Sequence, residues 1–278
     1  MQGKPHLRDW RELGKFKVIQ HSAEGGRYSG VAVNSEGLLA VTDSLSRCVH
    51  LLTDEGVLVR SIGKGELDGG LLSGVAFDLK GNAWVADYLS SKVVKLSQNG
   101  LLIQTINHTG SEGVKLRNPI GVSVSEDGLI YICDFGNHRI TVHDEEGRFL
   151  FAFGSQGSGP GCFDRPGDIT FGSDGLVYVT DERDSRVCVW SKDGHFQREF
   201  VTKYVPFYIT ATRDNHLLIT SYSSNIVMVY TLKGELVHIF GEKGSRPGSF
   251  NGCRGICINN NTGRVYIADY FNKRVQVF

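Results

Sequence analysis

One position at the end of short apolar segments recurs along the sequence at intervals of 40 to 48 residues and is aspartate in five of its six copies. The repeated position is occupied by Asp43, Asp87, Asp134, Asp181, Ser221 and Asp269. Carboxylates in such numbers could hold a metal ion or act as general acids and bases. The period is, however, that of one four-stranded blade of a β-propeller. Because a propeller distributes its repeats around a ring, we predict that these carboxylates lie apart and have a structural role.

A basic residue follows most of these aspartates five positions later. The pairs are Asp87 with Lys92, Asp134 with Arg139, Asp181 with Arg186, and Asp269 with Arg274. The fifth copy has lost both members and has Ser221 and Ile226 instead. Joint loss is what a buried ion pair predicts, because either charge alone is costly in the interior. In the first copy the basic residue, Arg47, lies one position early.

The fourth copy shows the elements that must position these residues. Its four apolar segments of strand length occupy 168–171, 175–181, 186–190 and 195–200. Asp-Gly, a strong hairpin signal, lies in the turn between the first two segments and again between the last two. Six such copies predict an all-β fold, a six-bladed β-propeller with four antiparallel strands per blade.

The last copy ends after its third strand, and the start of the chain supplies the missing one. Residues 15–20 match 148–153, the fourth strand of the third copy. We predict that this N-terminal strand closes the ring, since closure removes an exposed sheet edge. The chain then divides into a lead-in at 1–14 and a single propeller at 15–278.

The innermost strands, which line the central channel of a propeller, contain none of the nine histidines. A channel metal would need histidine or carboxylate ligands there. Cys133 and Cys257 occupy registers that small residues fill in the other copies, so we interpret both as packing positions. We therefore expect no catalytic residues, no metal, no cofactor and no enzymatic activity.

Charge placement favours one face of the ring as a binding surface. The connectors between blades and the loops after the second strands share one face, here called the top face, and this face is mildly basic. The remaining turns form a predominantly acidic bottom face. Aromatic residues lie among the cations of the top face, as they do where unpaired bases or proteins bind. The predicted partner-binding residues are Arg27, Tyr28, Tyr88, Arg117, Asn118, Phe135, Arg165, Arg183, Phe207, Tyr222, Arg254 and Tyr270.

The third copy contains Asn137-His138-Arg139, which resembles the signature tripeptide of the NHL repeat family. The connectors 151–167 and 240–250 are similar to those between NHL blades, and the resemblance spans all six copies. It implies a relationship to the C-terminal NHL domains of tripartite-motif ubiquitin ligases and of the brain tumor protein, which bind RNA or proteins. A second NHL group includes a secreted amidating lyase that uses metals in its channel.

Bulk composition narrows the range of partners. Lys and Arg number 30 and Asp and Glu number 30, so the molecule is not a polycation suited to DNA or an anionic membrane. The sequence has no secretion signal, no apolar stretch of 18 residues and no paired cysteine spacing of the zinc type. We expect a cytoplasmic, monomeric propeller with free thiols and with neither a membrane nor a DNA partner.

The resulting hypothesis is a recognition module that binds single-stranded or hairpin RNA on the top face. The alternative is a module that uses the same face to bind proteins, as substrates of a ubiquitin ligase. A propeller lyase or hydrolase with a channel metal is the third possibility. The RING and B-box domains that ligation would need are absent from this sequence, so we do not expect this chain alone to ligate ubiquitin.

Overall fold

A computed structural model describes residues 17–19, 26–67, 70–107 and 115–278, which form 24 strands and one short 3-10 helix at Phe135–Asn137. The strands in chain order are β1 Lys17–Ile19, β2 Tyr28–Val33, β3 Leu39–Asp43, β4 Cys48–Leu52, β5 Leu58–Ile62, β6 Leu72–Phe77, β7 Ala83–Asp87, β8 Lys92–Leu96, β9 Leu102–Ile106, β10 Val122–Val124, β11 Ile130–Asp134, β12 Arg139–His143, β13 Phe149–Phe153, β14 Pro166–Phe171, β15 Val177–Asp181, β16 Arg186–Trp190, β17 Phe196–Val201, β18 Ile209–Ala211, β19 His216–Ser221, β20 Ile226–Thr231, β21 Leu236–Phe240, β22 Cys253–Ile258, β23 Val265–Asp269 and β24 Arg274–Val277.

These strands form six antiparallel sheets of four strands each, and every sheet is one blade. Blades one to five take consecutive strands, from β2–β5 to β18–β21, and blade six joins β22, β23 and β24 to β1. The first strand of each blade lies at the channel and the fourth at the outer rim. The predicted six-bladed, all-β propeller with four antiparallel strands per blade is confirmed.

The chain start closes the ring, as predicted. Strand β1 pairs antiparallel with β24, with Lys17 opposite Val277, Val18 opposite Gln276 and Ile19 opposite Val275. The Ile19 side chain is 3% exposed and packs in the apolar layer between blades six and one. The rest of the predicted strand and the lead-in at 1–14 lie outside the described residues.

Deleting residues 15–20 is expected to lower the melting temperature sharply, by roughly 10 °C. The deletion exposes the edge of β24 and removes the buried Ile19, and loss of one such side chain alone costs about 2–5 kcal/mol. Differential scanning calorimetry measures the shift. A deletion of equal length at residues 1–6 is the control, and an unchanged melting curve for the 15–20 deletion would contradict the role of β1 in closure.

An apolar layer fills the space between each pair of adjacent blades. Six such clusters alternate with the six sheets around the ring. Between blades three and four, for example, Phe163 and Trp190 lie with ring centroids 5.4 Å apart and are almost fully buried. Face-to-face packing of sheets through alternate side chains holds the blades in fixed relation. The loops on the top face therefore rest on a rigid support.

The first hairpin of each blade explains why the turn sequence recurs. In blade four Gly175 has φ +78° and its N–H donates to the carbonyl oxygen of Gly172 at 3.0 Å. Asn215, with φ +67°, occupies the corresponding turn of blade five. Glycine and asparagine are the residues that tolerate this left-handed backbone.

The six cysteines are all unpaired, which confirms the prediction of free thiols. Cys133 is fully buried, and burial raises the pKa of its thiol well above the ordinary value. Within the described part of the chain, no helix is long and apolar enough to cross a membrane.

Candidate functional site

The strand-ending aspartates anchor the connectors of their blades. Each of three fully buried carboxylates binds the basic residue predicted for it. The Oδ2–Nε distances are 2.9 Å for Asp134–Arg139, 3.0 Å for Asp181–Arg186 and 2.7 Å for Asp269–Arg274. The other oxygen of Asp269 accepts the Asn251 N–H at 2.7 Å, while Arg274 donates to the carbonyl oxygen of Ser249 at 2.8 Å. The predicted ion pair is confirmed in these blades, and it ties the sheet to the preceding connector.

Blade one has a histidine in this role. Cys48 lies opposite Asp43, where blades three, four and six have arginine, and His50 follows on the same face of β4. Its Nε2 lies 3.3 Å from Asp43 Oδ2, and its Nδ1 lies 2.8 Å from Ser61 Oγ. Arg47, the cation that the sequence pattern indicated, is exposed and has φ +52°.

The pKa values of this buried pair move apart. Burial opposes charging of His50, but the hydrogen bond to Asp43, with help from Cys48, outweighs it and raises the imidazole pKa to about 9. Burial also opposes charging of Asp43, yet hydrogen bonds from His50, Ser46 and backbone N–H groups hold its pKa well below the ordinary value. Blade one therefore contains a charged imidazolium–carboxylate pair at neutral pH.

The channel opens on the top face into a cavity of about 370 Å³, here called the mouth. Six of the predicted binding residues line it: Tyr88, Phe135, Arg165, Phe207, Tyr222 and Arg254. Five of them come from blade connectors and from the loops after second strands, so these two sets of loops share one face, as the sequence predicted. The sixth, Arg254, lies in β22, the first strand of blade six. The volume lies at the lower end of the range for small-ligand sites, about 300–1,000 Å³.

Arg254 is the cation held most firmly at the mouth. Its guanidinium carbon lies 4.0 Å from the centroid of Tyr270 and 5.1 Å from that of Tyr222. Its Nη1 donates to Ser29 Oγ at 3.2 Å. Among the described residues no carboxylate lies within ion-pair distance of it, so its charge is available to a ligand. Stacking on aromatic rings orients a guanidinium and leaves its edge free to donate.

Arg165 approaches the mouth from the connector into blade four. Its guanidinium carbon lies 5.6 Å from the centroid of Phe135, which contacts Tyr88 edge-on at 6.1 Å. The side chain is exposed, and its backbone has φ +77°, an uncommon value for a residue with a side chain. Such backbone conformations are concentrated at binding and active sites.

Glu182 adds a carboxylate to the mouth that sequence reasoning missed. It follows Asp181 directly, as Tyr88 and Phe135 follow the aspartates of blades two and three. Burial raises the pKa of its carboxyl, while Arg165 and Arg183 act in the opposite direction. Its side chain makes no hydrogen bond or ion pair with the residues that the structure describes.

The channel below the mouth forms a second cavity of about 190 Å³, and its exposed lining is more polar than apolar. In four blades the first channel residue is glycine, and a side chain there would collide with the backbone of the next blade, as at Gly30 against Ser73. Asp168 and Tyr208 take this position in blades four and five. Asp168 Oδ2 accepts the Ile209 N–H at 3.0 Å, and burial raises its pKa to about 7 against these backbone hydrogen bonds.

The remaining predicted residues lie outside the mouth cavity. Tyr28 is 2% exposed and packs in the core with its ring edge-on to His50, away from the mouth, so nothing in the cavity supports its predicted role in binding. It pairs with Asp43 at the start of β2, and the equivalent position in blade two is the buried Leu72. Arg27 is exposed but contributes its N–H to Asp43 and no side chain to the cavity.

Three other predicted residues support the rim of the mouth. Asn118 Nδ2 donates to the carbonyl oxygen of Tyr88 at 3.0 Å, and Arg117 packs its side chain over Gly136. Arg183 is exposed and its Nε lies 3.6 Å from Asp164. These contacts place loops rather than line the cavity. Tyr270, in contrast, stacks against the guanidinium of Arg254 at the edge of the mouth.

In residues 17–19, 26–67, 70–107 and 115–278, no three His, Cys, Asp or Glu side chains come close enough together to hold a metal ion. The fold and the mouth thus define a β-propeller with an aromatic and cationic opening on one face. The NHL repeat model matches residues 116–142, 163–190 and 250–278, which lie in blades three, four and six of this six-bladed propeller. No curated protein matches the sequence.

Solved structures share this fold across nearly the whole chain. Virginiamycin B lyase from Staphylococcus aureus is 15% identical, with a TM-score of 0.70 over 95% of this chain and 98% of the lyase. A gluconolactonase from Xanthomonas campestris is 15% identical, with a TM-score of 0.74 over 95% of this chain and 90% of that one. A chain of the nidogen/laminin complex is 18% identical, with a TM-score of 0.63 over 78% of this chain and 80% of that one.

These neighbours correct the prediction that the chain is not an enzyme. A lyase and a gluconolactonase adopt the same propeller over nearly their full lengths, so the fold is one that carries out catalysis. The prediction was argued from the lack of histidine on the innermost strands, which bears on one kind of chemistry only. Asp168, a buried channel carboxyl with a pKa of about 7, is the kind of group that such reasoning overlooks.

Proposed function

We propose that the top face binds single-stranded RNA and that the mouth receives one unstacked base. The observation that carries this proposal is the stack of Arg254 on Tyr270 beside Tyr222, with no carboxylate of the described residues in ion-pair contact with the guanidinium. Sequence-specific binding of RNA commonly uses splayed bases stacked on aromatic rings or on arginine. The zero net charge of the chain does not oppose this proposal, because a ligand in the mouth meets Arg165 and Arg254 directly.

The chemistry of the mouth suits one nucleotide. Base–aromatic stacking contributes about 1–3 kcal/mol per base, and Tyr88, Phe135, Phe207 and Tyr222 offer rings to the cavity. Arg165 lines the cavity from the connector into blade four and Arg254 from blade six, and both can meet backbone phosphates. The cavity of about 370 Å³ accepts a single planar group rather than a folded element. The proposal includes a location in the cytoplasm and a role as an RNA-recognition module like the NHL domains of tripartite-motif proteins.

One observation favours a protein ligand as the second candidate. Leu45, Leu89 and Phe271 are 58%, 62% and 55% exposed. Each is the second residue after a strand-ending aspartate, and their blades, one, two and six, are neighbours in the ring. Exposed apolar side chains beside Tyr and Arg are typical of protein interfaces. The top face would then recruit a protein, which in a ubiquitin ligase is the substrate.

Arg254→Ala is expected to weaken binding of a fluorescein-labelled pool of nine-nucleotide single-stranded RNAs about tenfold, because it removes a charge and a stacking surface. Fluorescence anisotropy at low salt measures the affinity, and binding by the unaltered protein should fall as salt rises.

Arg246→Ala is the matched control for this measurement. Arg246 lies on the top face, is 83% exposed and is paired with Glu242 at 3.0 Å, so its loss removes the same charge outside the mouth. If the two substitutions weakened binding equally, RNA binding would depend on the positive charge of the top face as a whole and not on the mouth. Lack of binding by the unaltered protein would overturn the proposal, and a nuclease-resistant protein partner lost in Arg254→Ala would establish the second candidate.

A further inference from the structure

Glu182 differs from every residue that occupies its position in the other blades. The residue after the strand-ending aspartate or serine is Ser44, Tyr88, Phe135, Tyr222 or Tyr270 elsewhere, so an acid is present in blade four alone. The backbone of Glu182 is fixed by a hydrogen bond from its N–H to the carbonyl oxygen of Arg165 at 3.1 Å. The side chain lines the mouth between the rings and the cations.

The carboxylate of Glu182 is half-buried and lacks a partner among the described residues. A carboxylate withdrawn from water without hydrogen-bond donors is unfavourable, so its position in a cavity calls for donors from a ligand. Neither nearby arginine supplies them: Arg165 stacks on Phe135 and Arg183 lies nearest to Asp164. The positive charges of Arg165 and Arg183 nevertheless offset the negative charge of Glu182, which would otherwise repel the RNA backbone.

We propose that Glu182 binds the Watson–Crick edge of the base in the mouth and that guanine is the preferred base. This inference rests on the proposed binding of single-stranded RNA. An ionised carboxylate has only acceptors and can take two parallel hydrogen bonds. Guanine presents two adjacent donors, its N1–H and its 2-amino group, which match the two oxygens.

The other three bases match the carboxylate less well. Adenine and cytosine each present one amino group beside a ring nitrogen that accepts, and that nitrogen would face a carboxylate oxygen. Uracil presents one N–H between two carbonyl oxygens, so both neighbours of the donor repel the carboxylate. Aromatic rings around the base hold any of the four, whereas a polar group at the base edge discriminates among them.

The test uses nine-nucleotide uridine RNAs that carry guanine, adenine, cytosine or hypoxanthine at the centre, with all-uridine RNA as the reference. The guanine RNA is expected to bind about tenfold more tightly than the others, since one good bidentate contact gives this order of discrimination. Hypoxanthine lacks the 2-amino group and is expected to lose most of the advantage. Equal affinities for all five RNAs would overturn the inference and leave RNA binding intact.

Glu182→Gln tests the residue itself. We expect it to bring the affinities for the guanine and adenine RNAs within about twofold of each other, while all-uridine RNA binds as before. Arg246→Ala, the exposed top-face substitution outside the mouth, is the control and should keep the preference for guanine. A guanine preference that survives Glu182→Gln in a protein with an unchanged melting temperature would overturn the assignment. If no RNA binds the unaltered protein, both the inference and the proposed function fail.

Discussion

Arg274→Ile is expected to lower the free energy of unfolding by roughly 3 to 5 kcal/mol, the usual cost of leaving one charge of a buried pair alone. Asp269 is fully buried and would lose the guanidinium that lies 2.7 Å away. The connector would also lose the three donors that Arg274 supplies to the carbonyl oxygens of Ser245, Arg246 and Ser249. Urea unfolding followed by circular dichroism measures the change.

The fifth blade provides the control for this experiment within the same chain. Ser221 and Ile226 occupy the places of Asp269 and Arg274 there, and they pair directly across the strands. The double substitution Asp269→Ser, Arg274→Ile copies that arrangement and should recover part of the loss, since no buried charge remains. A double variant as unstable as the sum of the two single variants would contradict the ion-pair explanation.

Stability should depend on the protonation of His50 at alkaline pH. The folded-state pKa of about 9 exceeds the ordinary value of 6.5, so the folded state binds the proton more tightly. The stabilisation, about 3 kcal/mol for this shift, is fully present below pH 6.5 and is lost as the pH rises through 9. Unfolding free energies measured between pH 6 and pH 10 should show this decline.

His50→Gln should remove this part of the pH dependence. Glutamine keeps a donor for Asp43, as Gln276 does for Asp269 at 3.2 Å in the equivalent position of blade six. The other groups that titrate above pH 8 are common to both proteins, so the difference between the two curves isolates His50. If the unfolding free energies of the two proteins changed with pH in parallel, His50 would not hold an extra proton in the folded state, and the charged pair with Asp43 would be ruled out.

Blade number, strand order and ring closure could be predicted because they depend on local patterns that repeat. Asp-Gly turns, alternating apolar residues and an aspartate at a fixed position specify each blade through contacts close in sequence. The role of His50 was not predicted, because the repeated pattern places a basic residue five positions after each aspartate and His50 follows Asp43 by seven. The interaction instead follows the face of the strand, so a basic residue two positions further along β4 reaches the same carboxylate.

The mouth was predictable in part. Six of the twelve predicted residues line it because the topology of a propeller brings connectors and second-strand loops to one face. Tyr28 lies away from the mouth because it pairs with Asp43 at the start of β2 and its ring packs in the core. From the sequence alone, Glu182 could not be distinguished from the other acidic residues of the top face. What sets it apart is the lack of a partner for its carboxylate, and that depends on side chains distant in sequence.

Closure by β1 also determines how the molecule responds to force. Lys17 lies opposite Val277, so the N-terminal end of β1 and the C-terminal end of β24 are at the same end of their ladder. Tension applied to the two ends of the chain would load the hydrogen bonds one after another, as in the opening of a zipper, rather than all at once in shear. Blade six should therefore be the mechanical weak point of a ring that is otherwise held by five uninterrupted sheets.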